Sequence, residues 1–170
     1  MSGAGSHDTV AAAIQACDQA TVLALNNSCA RELSWLDSEG LAILLGRAFH
    51  ARRIGHVEAF LLAFDERADY DSPNFLWFRA RYRHFVYVDR VAVAPAARGH
   101  GHARRLYADL IRHAAATHEV VVCEVNIDPP NPASDALHAA LGFREVGQAA
   151  IDAGRKTVRY LRLPLRARCL

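Results

Sequence analysis

The segment from Asp89 to Tyr107 constrains the fold more than any other part of this 170-residue chain. A β-branched run ends at Pro95, a turn rich in glycine and arginine follows, and an amphipathic helix is predicted from about Ala103. The first N–H groups of a helix have no partner within the helix, and the helix dipole favours negative charge there. A strand, a glycine turn and a helix in this order therefore predict a phosphate site, and with it a phosphorylated cofactor.

Two familiar phosphate-binding loops do not fit this turn. A P-loop requires Lys followed by Ser or Thr after its last glycine, and no such pair follows Gly101. A dinucleotide-binding turn, G-x-G-x-x-G, is matched at Gly99 and Gly101, but Arg104 stands at its sixth position, where close packing requires a small residue. A plain solvated turn stays open as an alternative, because turns are the commonest use of glycine.

A third pattern, Arg/Gln-x-x-Gly-x-Gly/Ala, fits the turn. Arg98, Gly101 and Ala103 match it, directly after the predicted strand 87–93. This segment resembles the acetyl-CoA loop of the GNAT superfamily of N-acetyltransferases. The helix after the turn carries one apolar stripe, which would pack on a sheet and leave the helix N-terminus free to meet a ligand.

A second motif lies at residues 131–143. Asn131, Ser134 and Gly142-Phe143 resemble the second signature of the same superfamily, in which Asn is followed by a small residue, a Tyr and Gly-Phe. His138 stands where the superfamily usually has that Tyr. Each motif follows a predicted strand, and the two occur in the family's order, which makes chance agreement a poor explanation.

The resemblance implies one α/β domain over residues 1–170, with residues 1–8 flexible and a mixed central sheet flanked by helices. Its parallel strands 4 and 5 would splay apart into a V-shaped cleft. Pantetheine would lie beside strand 4, at residues 91–93, and pair with its backbone like an added strand. The residues that the resemblance assigns to acetyl-CoA are Val91, Ala92, Val93, Arg98, Gly99, His100, Gly101, His102, Ala103, Asn131, Ser134 and His138.

Acetyl transfer from a thioester to an amine makes three chemical demands. The amine must lose a proton, the tetrahedral oxyanion needs a hydrogen-bond donor, and the departing thiolate can take a proton. By resemblance, the oxyanion donor is the backbone N–H of Val91 or Ala92. The acid position by resemblance is His138, which could instead simply line the cleft.

The base is expected to be a carboxylate on one of the strands beside the cleft. Glu124 and Asp89 each interrupt an apolar run, where a carboxylate is costly unless it faces water. Either could take the proton from the amine, directly or through water. Asp89 could alternatively form a structural ion pair with Arg90.

The rest of the chain is assigned from apolar periodicity. Helices are predicted over residues 9–17, 37–49 and 132–141, and strands over residues 21–25, 57–64, 85–93 and 120–125. Residues 75–82 fit either a strand or a short helix, and we favour a short helix inside a substrate loop. A closing hairpin is predicted from residues 143–150 and 157–163, turning near residues 152–154. The acceptor is expected to meet the polar loops, with the candidate contacts Asn26, Asn27, Asp71, Ser72, Asn74 and Trp77.

Composition limits the function classes. The net charge of +2 gives no case for nucleic acid, no apolar run approaches membrane-spanning length, and no His, Cys or acidic group has zinc spacing. Four widely separated cysteines make no disulfide framework, which favours a cytoplasmic protein with reduced thiols. The Arg-rich, apolar C-terminus is a candidate contact in a homodimer.

These observations lead to one function and one alternative. The expected activity is transfer of an acetyl group from acetyl-CoA to a primary amine, of a small molecule or a protein, by direct attack in a ternary complex. The alternative is a CoA-binding module that is non-catalytic or uses another acyl group, suggested by His138 in place of Tyr.

Overall fold

The computed structural model describes residues 10–165. The expected flexibility of residues 1–8 lies outside the described residues. The strands are β1 Ala11–Ala13, β2 His50–Ile54, β3 Ala59–Asp65, β4 Phe85–Val93, β5 Val120–Asp128, β6 Arg144–Ile151 and β7 Lys156–Pro164. The helices are α1 Gln19–Ser28, α2 Ala30–Leu33, α3 Ser38–Arg47, α4 Pro73–Arg79, α5 His102–Ala114 and α6 Pro132–Leu141.

The strands form one mixed sheet of seven in the order β1-β2-β3-β4-β5-β7-β6. All neighbouring pairs are antiparallel except β4 and β5, which run parallel. One core lies between the sheet and α1, α3 and α4, and a second lies between the sheet's other face and α5. The predicted α/β domain with a mixed sheet and flanking helices is confirmed.

The parallel strands β4 and β5 separate soon after they begin. They pair only from Phe85 with Val120 to Tyr87 with Val122. Beyond that point β4 stays paired to β3 on its other side as far as Val93, and β5 stays paired to β7 as far as Asp128. Among residues 10–165, the edges of β4 and β5 that face each other therefore have no partner strand beyond this point, and a cleft opens between them.

A β-bulge lies in β4 where the cleft begins. Leu62 of β3 pairs with Arg90 and Ala63 pairs with Val88, so Asp89 is the extra residue. A bulge shifts the alternation of side chains, so that Asp89 and Arg90 both point to the face covered by α1 and α4. After the bulge, side chains alternate again from Arg90 onward. Ala92 packs in the core under α1 and α4, and Val93 packs against the core under α5.

Several elements match the sequence-based assignment. The strand Phe85–Val93, the helix α6 with Gly142 after its last residue and the β6–β7 hairpin lie where they were predicted. Helices were predicted at residues 37–49 and 75–82, and the structure has α3 and α4 there, with α4 beginning at Pro73, where proline needs no N–H partner.

The N-terminal assignments were wrong. The helix predicted over residues 9–17 is instead β1 and a short 3-10 turn, and the strand predicted over residues 21–25 lies inside α1. Val22 and Leu25 are buried while Thr21 and Ala24 are exposed, which is helical spacing that overrides the strand preference of Thr and Val. Strand β2, with its two arginines, was not predicted at all.

Helix α4 is fixed against the sheet through Trp77. Its ring stacks on Tyr160 with centroids 4.2 Å apart, and it lies directly over Gly147, the β6 partner of Tyr160. A Cβ on Gly147 would lie 2.8 Å from the Trp77 ring. Glycine at this position therefore allows the helix to approach the sheet.

We expect Gly147→Ala to lower the free energy of unfolding by about 1–3 kcal/mol, because the Trp77 ring must move. Gly46→Ala is the matched control, since the added carbon would have no tertiary contact within 4 Å among residues 10–165 and alanine favours helix. It should raise stability by up to about 1 kcal/mol. Urea unfolding measures both, and an unchanged midpoint for Gly147→Ala would contradict the packing argument.

Candidate functional site

The gap between β4 and β5 continues into a cleft of about 620 Å³. Its walls come from both motifs: the glycine turn with the start of α5 on one side, and the first two turns of α6 on the other. Asp89 of β4 and Glu124 of β5 line its inner end, and α2 covers that end. The chain thus brings together residues that are far apart in sequence.

The glycine turn presents the first turn of α5 to the cleft. Gly99 and Gly101 have φ of 80° and 77°, values that other residues reach only with strain, and Gly101 precedes the first helical residue. Gly101 at the N-cap position has no side chain that could cap the helix, and the first turn of α5 lines the cleft, so its N–H groups can bind an anion. Arg98 and Arg104 line the cleft here and add positive charge.

Two histidines of this turn differ in position. His102 is buried at the start of α5 and lines the cleft, 3.7 Å from the Glu58 carboxylate. His100 is exposed and does not line the cleft; its Nδ1 lies 3.2 Å from the carbonyl oxygen of Ala97. Of the residues assigned to acetyl-CoA, His100 is the one that the cleft does not include.

The second motif shapes α6. Asn131 caps the helix, because its Oδ1 accepts from the backbone N–H of Ser134 at 3.2 Å. Gly142 ends the helix with φ of 90° and Phe143 packs into the core below. The two helix ends thus fix the orientation of α6, and Asn131, Ser134 and His138 lie on the side that faces the cleft.

His138 is buried, and both of its ring nitrogens have partners. Its Nδ1 lies 2.7 Å from the carbonyl oxygen of Ser134, which can only accept, so Nδ1 carries the proton. The hydroxyl of Tyr107 then donates to Nε2 at 2.6 Å. Burial lowers the pKa of His138, which keeps the ring neutral at pH 7. In this arrangement no ring N–H points into the cleft.

Glu124 lies at the inner end of the cleft with one oxygen held and one free. Its Oε1 accepts from the Tyr87 hydroxyl at 3.0 Å and from the Asn74 amide at 2.9 Å. Its Oε2 is buried and has no hydrogen-bond partner in residues 10–165. Burial, and then the nearby charge of Asp89, raise the pKa of Glu124 to about 8. A carboxyl with this pKa can both take and release a proton near neutral pH.

Asp89 has both oxygens engaged. Tyr70 donates to Oδ1 at 2.7 Å, and the Arg90 guanidinium donates to Oδ2 at 2.9 Å. Burial raises the pKa of Asp89, while Arg90 and Tyr70 act in the opposite direction. The ion pair with Arg90, which was one of the two alternatives for Asp89, is present. Of the two strand carboxylates, Glu124 is therefore the one with an oxygen that has no hydrogen-bond partner among residues 10–165.

Arg90 connects the bulge to the helices above the cleft. Its Nη1 donates to Asn26 Oδ1 and to the carbonyl oxygens of Leu33 and Ser34, at 2.8, 2.6 and 3.1 Å. These contacts fix the end of α2, and α2 in turn places Cys29, Glu32 and Leu33 against the cleft. No periodicity in the sequence had singled out this four-residue helix.

The six residues proposed for the acceptor do not line the cleft. Asn26 is fully buried against Arg90, and the side chain of Asn27 pairs with the backbone of Leu36. Asn74 is the partner of Glu124, and its Oδ1 accepts from Tyr160 at 3.0 Å. Of the remaining three, Asp71 and Ser72 directly precede α4 and Trp77 lies in its middle.

Two further observations concern residues 10–165 as a whole. They contain no group of three or more His, Cys, Asp and Glu side chains arranged to hold a metal ion. They also include no helix that is long and apolar enough to cross a membrane.

Comparison with known proteins identifies this architecture. The model of the acetyltransferase (GNAT) family matches residues 52–143. A curated relative, phosphinothricin N-acetyltransferase of Streptomyces coelicolor, is 44% identical over 70 residues, which is 41% of this chain and 40% of the relative. The aligned region thus spans less than half of that protein's length.

Solved structures share the fold over nearly the whole chain. The ribosomal-protein-S18-alanine N-acetyltransferase of Escherichia coli superposes with a TM-score of 0.67 at 17% identity, covering 95% of this chain and 97% of the other. The yncA protein of Salmonella typhimurium, solved with its cofactor acetyl-CoA, gives 0.69 at 21% identity, covering 95% and 96%. The smu.2055 protein of Streptococcus mutans gives 0.73 at 14% identity, covering 92% and 99%.

Proposed function

This chain belongs to the acetyltransferase (GNAT) family, and we propose that it transfers an acetyl group from acetyl-CoA to a primary amine in a ternary complex. One observation carries the proposal: a cleft runs from a helix N-terminus capped only by glycine, suited to a pyrophosphate, to a carboxyl group with one oxygen that has no hydrogen-bond partner among residues 10–165. The two ends match the two substrates of an acetyl transfer. The names of the relatives, all acetyltransferases of amines where a reaction is stated, agree with it.

The donor binds along the splayed edge of β4. The backbone N–H of Ala94 donates to Glu58 at 2.8 Å, on the β3 side. Because successive residues of an antiparallel strand direct their N–H groups to opposite sides, Ala92 also faces β3, while Val91 and Val93 face the cleft. Pantetheine, which carries two amides, can pair with Val91 and Val93 as an added strand. The pyrophosphate then reaches the first turn of α5.

The alternating direction of the backbone N–H groups also distinguishes Val91 from Ala92 as the oxyanion donor. Val91 directs its N–H into the cleft, and Ala92 directs its N–H toward β3. A backbone N–H next to the thioester carbonyl stabilises the charge that develops on oxygen when the amine attacks. We therefore assign this role to Val91.

Glu124 is the proposed base. A primary amine has a pKa of about 10 and is mostly protonated near neutral pH, so it must lose a proton before it attacks. The free Oε2 of Glu124 accepts that proton, and the hydrogen bonds from Tyr87 and Asn74 hold the other oxygen in place. The amine nitrogen then attacks the thioester carbon, and the carbonyl oxygen takes the negative charge beside Val91. The carbonyl re-forms as the carbon–sulfur bond breaks, the nitrogen releases its second proton, and the departing thiolate takes up one proton to become the thiol.

His138 remains the proposed acid for the departing thiolate, with a condition set by its contacts. In its neutral form it has no N–H free for sulfur, since Nδ1–H is bonded to Ser134. A second proton would sit on Nε2, which faces the Tyr107 hydroxyl at 2.6 Å, so the acid role also requires that contact to open, and burial disfavours the charged form. A thiol has a pKa of about 8.5, so the thiolate can depart with little help from an acid.

Binding of acetyl-CoA tests the donor site. We expect Gly101→Glu to abolish binding in calorimetry, because a like charge would occupy the pyrophosphate position. Gly154→Glu is the matched control: it also has positive φ, at 83°, and open space around the new carbon, but it lies in the β6–β7 turn outside the cleft. Equal loss of binding in both variants, or no binding by the wild type at near-millimolar acetyl-CoA, would contradict the proposal.

The pH dependence of thiol release tests the base. With Glu124 ionising near pH 8, kcat/KM should rise up to about pH 8 and then level for this group, because only the ionised carboxylate accepts a proton. Glu124→Gln should remove this rise of kcat/KM with pH and lower kcat/KM by roughly 10²–10⁴-fold. Glu119→Gln, an exposed carboxylate just before β5, should leave both unchanged.

Acceptors with different amine pKa values separate the two ionisations. The rise in kcat/KM that is due to the amine should shift in pH with the pKa of the acceptor. The rise that is due to Glu124 should occur at the same pH for every acceptor. A pH profile that is identical in Glu124→Gln and the wild type rules out Glu124 as the base. Binding of acetyl-CoA with no thiol release for any amine would favour a non-catalytic CoA-binding module.

A further inference from the structure

A chain of hydrogen bonds from three elements ends on the proposed base. The hydroxyl of Tyr160 on β7 donates to Asn74 Oδ1 at 3.0 Å, and Asn74 Nδ2 at the start of α4 donates to Glu124 Oε1 on β5 at 2.9 Å. We propose that Tyr160 is a positioning residue for the base: its hydroxyl orients the Asn74 amide so that an N–H group faces Glu124. This inference rests on the proposed function, in which Glu124 accepts the proton of the amine.

The direction of this chain follows from the donors and acceptors that are present. An ionised carboxylate can only accept, so the amide of Asn74 must present an N–H group to Glu124. The amide oxygen then faces Tyr160, which supplies its hydroxyl proton. In the reverse orientation, the amide oxygen would meet the carboxylate with no proton between them. Reversal would also take the acceptor away from the buried Tyr160 hydroxyl, which is costly.

Tyr160 is fixed beside the base by the sheet and by α4. It lies directly opposite Glu124 in the antiparallel pair of β5 and β7, so both side chains point to the face that α4 covers. Its ring stacks on Trp77 with centroids 4.2 Å apart and meets Phe78 edge-on at 5.1 Å. The side chain is 1% exposed, and its one hydroxyl proton goes to Asn74. The ring is therefore held where its hydroxyl acts on Glu124 through the amide.

Several other titratable side chains interact with Glu124. They are four phenols, one thiol and one carboxyl: Tyr70, Tyr87, Tyr107, Tyr160, Cys123 and Asp89. Burial raises the pKa of each phenol and of the thiol, so these groups stay protonated near pH 8. Asp89 forms an ion pair with Arg90, and Glu32 of α2 lines the cleft. Glu124, with its pKa raised to about 8, therefore ionises while the surrounding phenols and thiol stay neutral.

Loss of the Tyr160 hydroxyl should make Glu124 harder to ionise. Hydrogen bonds to the charged form of a carboxyl lower its pKa, and Asn74 and Tyr87 each supply one to Oε1. Without the hydroxyl, the Asn74 oxygen loses its donor, and the amide can turn that oxygen toward the protonated form of Glu124. The protonated form is then favoured, and less of the ionised base is present at neutral pH.

The side-chain carboxyl carbon of Glu124 reports this ionisation without any turnover. In the full chain labelled with [δ-¹³C]glutamate, its NMR signal is assigned by comparison with Glu124→Gln and should titrate near pH 8. Tyr160→Phe keeps the ring on Trp77 and should raise the midpoint by about 0.5–1 pH unit. The ionised fraction at pH 7 should then fall about 3–10-fold.

Two further variants show whether Tyr160 acts through the amide. Asn74→Leu should also raise the midpoint, and Tyr160→Phe should add nothing in the Asn74→Leu background, because the amide that it orients is gone. Tyr82→Phe is the matched control, since Tyr82 packs beside Phe78 in the same core but lies outside the chain of hydrogen bonds. It should leave the midpoint unchanged.

Acetyl-CoA binding in calorimetry checks that each variant is folded. If Tyr160→Phe does not fold, Tyr160→3-fluorotyrosine keeps the ring and makes the hydroxyl a stronger donor, which should polarise the amide and lower the Glu124 midpoint. The inference is overturned if Tyr160→Phe leaves the midpoint unchanged or lowers it, if it raises the midpoint equally in the Asn74→Leu background, or if the fluorinated ring does not lower it. The titration needs no turnover, so these outcomes are separate from failure of the proposed function, which the activity of Glu124→Gln decides.

Discussion

The separation of β4 from β5 after three residue pairs is the constraint on which the rest of the site depends. Each strand keeps its outer neighbour, so the sheet stays continuous on both sides while two inner edges remain unpaired. Unpaired backbone groups in a protein interior are costly unless water or a ligand meets them. A ligand with amides that can pair like a strand resolves this cost, and the cleft between the strands has the polar ends that such a ligand needs.

The bulge at Asp89 determines how the cleft is covered. It turns two successive charged residues to one face, where Asp89 pairs with Arg90 and Arg90 holds the end of α2. A buried guanidinium needs such partners, since removing one member of a buried ion pair typically costs about 3–5 kcal/mol. The same contacts place Glu32 and Leu33 over the inner end of the cleft. The bulge therefore determines both the direction of the Val91 N–H and the position of α2, which covers the inner end of the cleft.

The sequence predicted the parts of the site that local chemistry determines. Gly99 and Gly101 mark a turn with positive φ, Asn131 and Gly142 mark the two ends of a helix, and the apolar run before Pro95 marks a strand. The contacts of Glu124 could not be predicted, because Asn74 and Tyr87 reach it from 50 and 37 residues away. The strand assigned to residues 21–25 failed because tertiary packing, and not local preference, decides the state of so short a segment.

Amide hydrogen exchange at β4 tests the central claim most directly. If acetyl-CoA pairs with the splayed edge, saturating donor should slow exchange at the N–H groups of Val91 and Val93, which face the cleft. Ala92, whose N–H faces β3, should already be protected and should change little. Unchanged exchange at Val91 and Val93 with donor bound, or equal slowing at all three residues, would contradict the account.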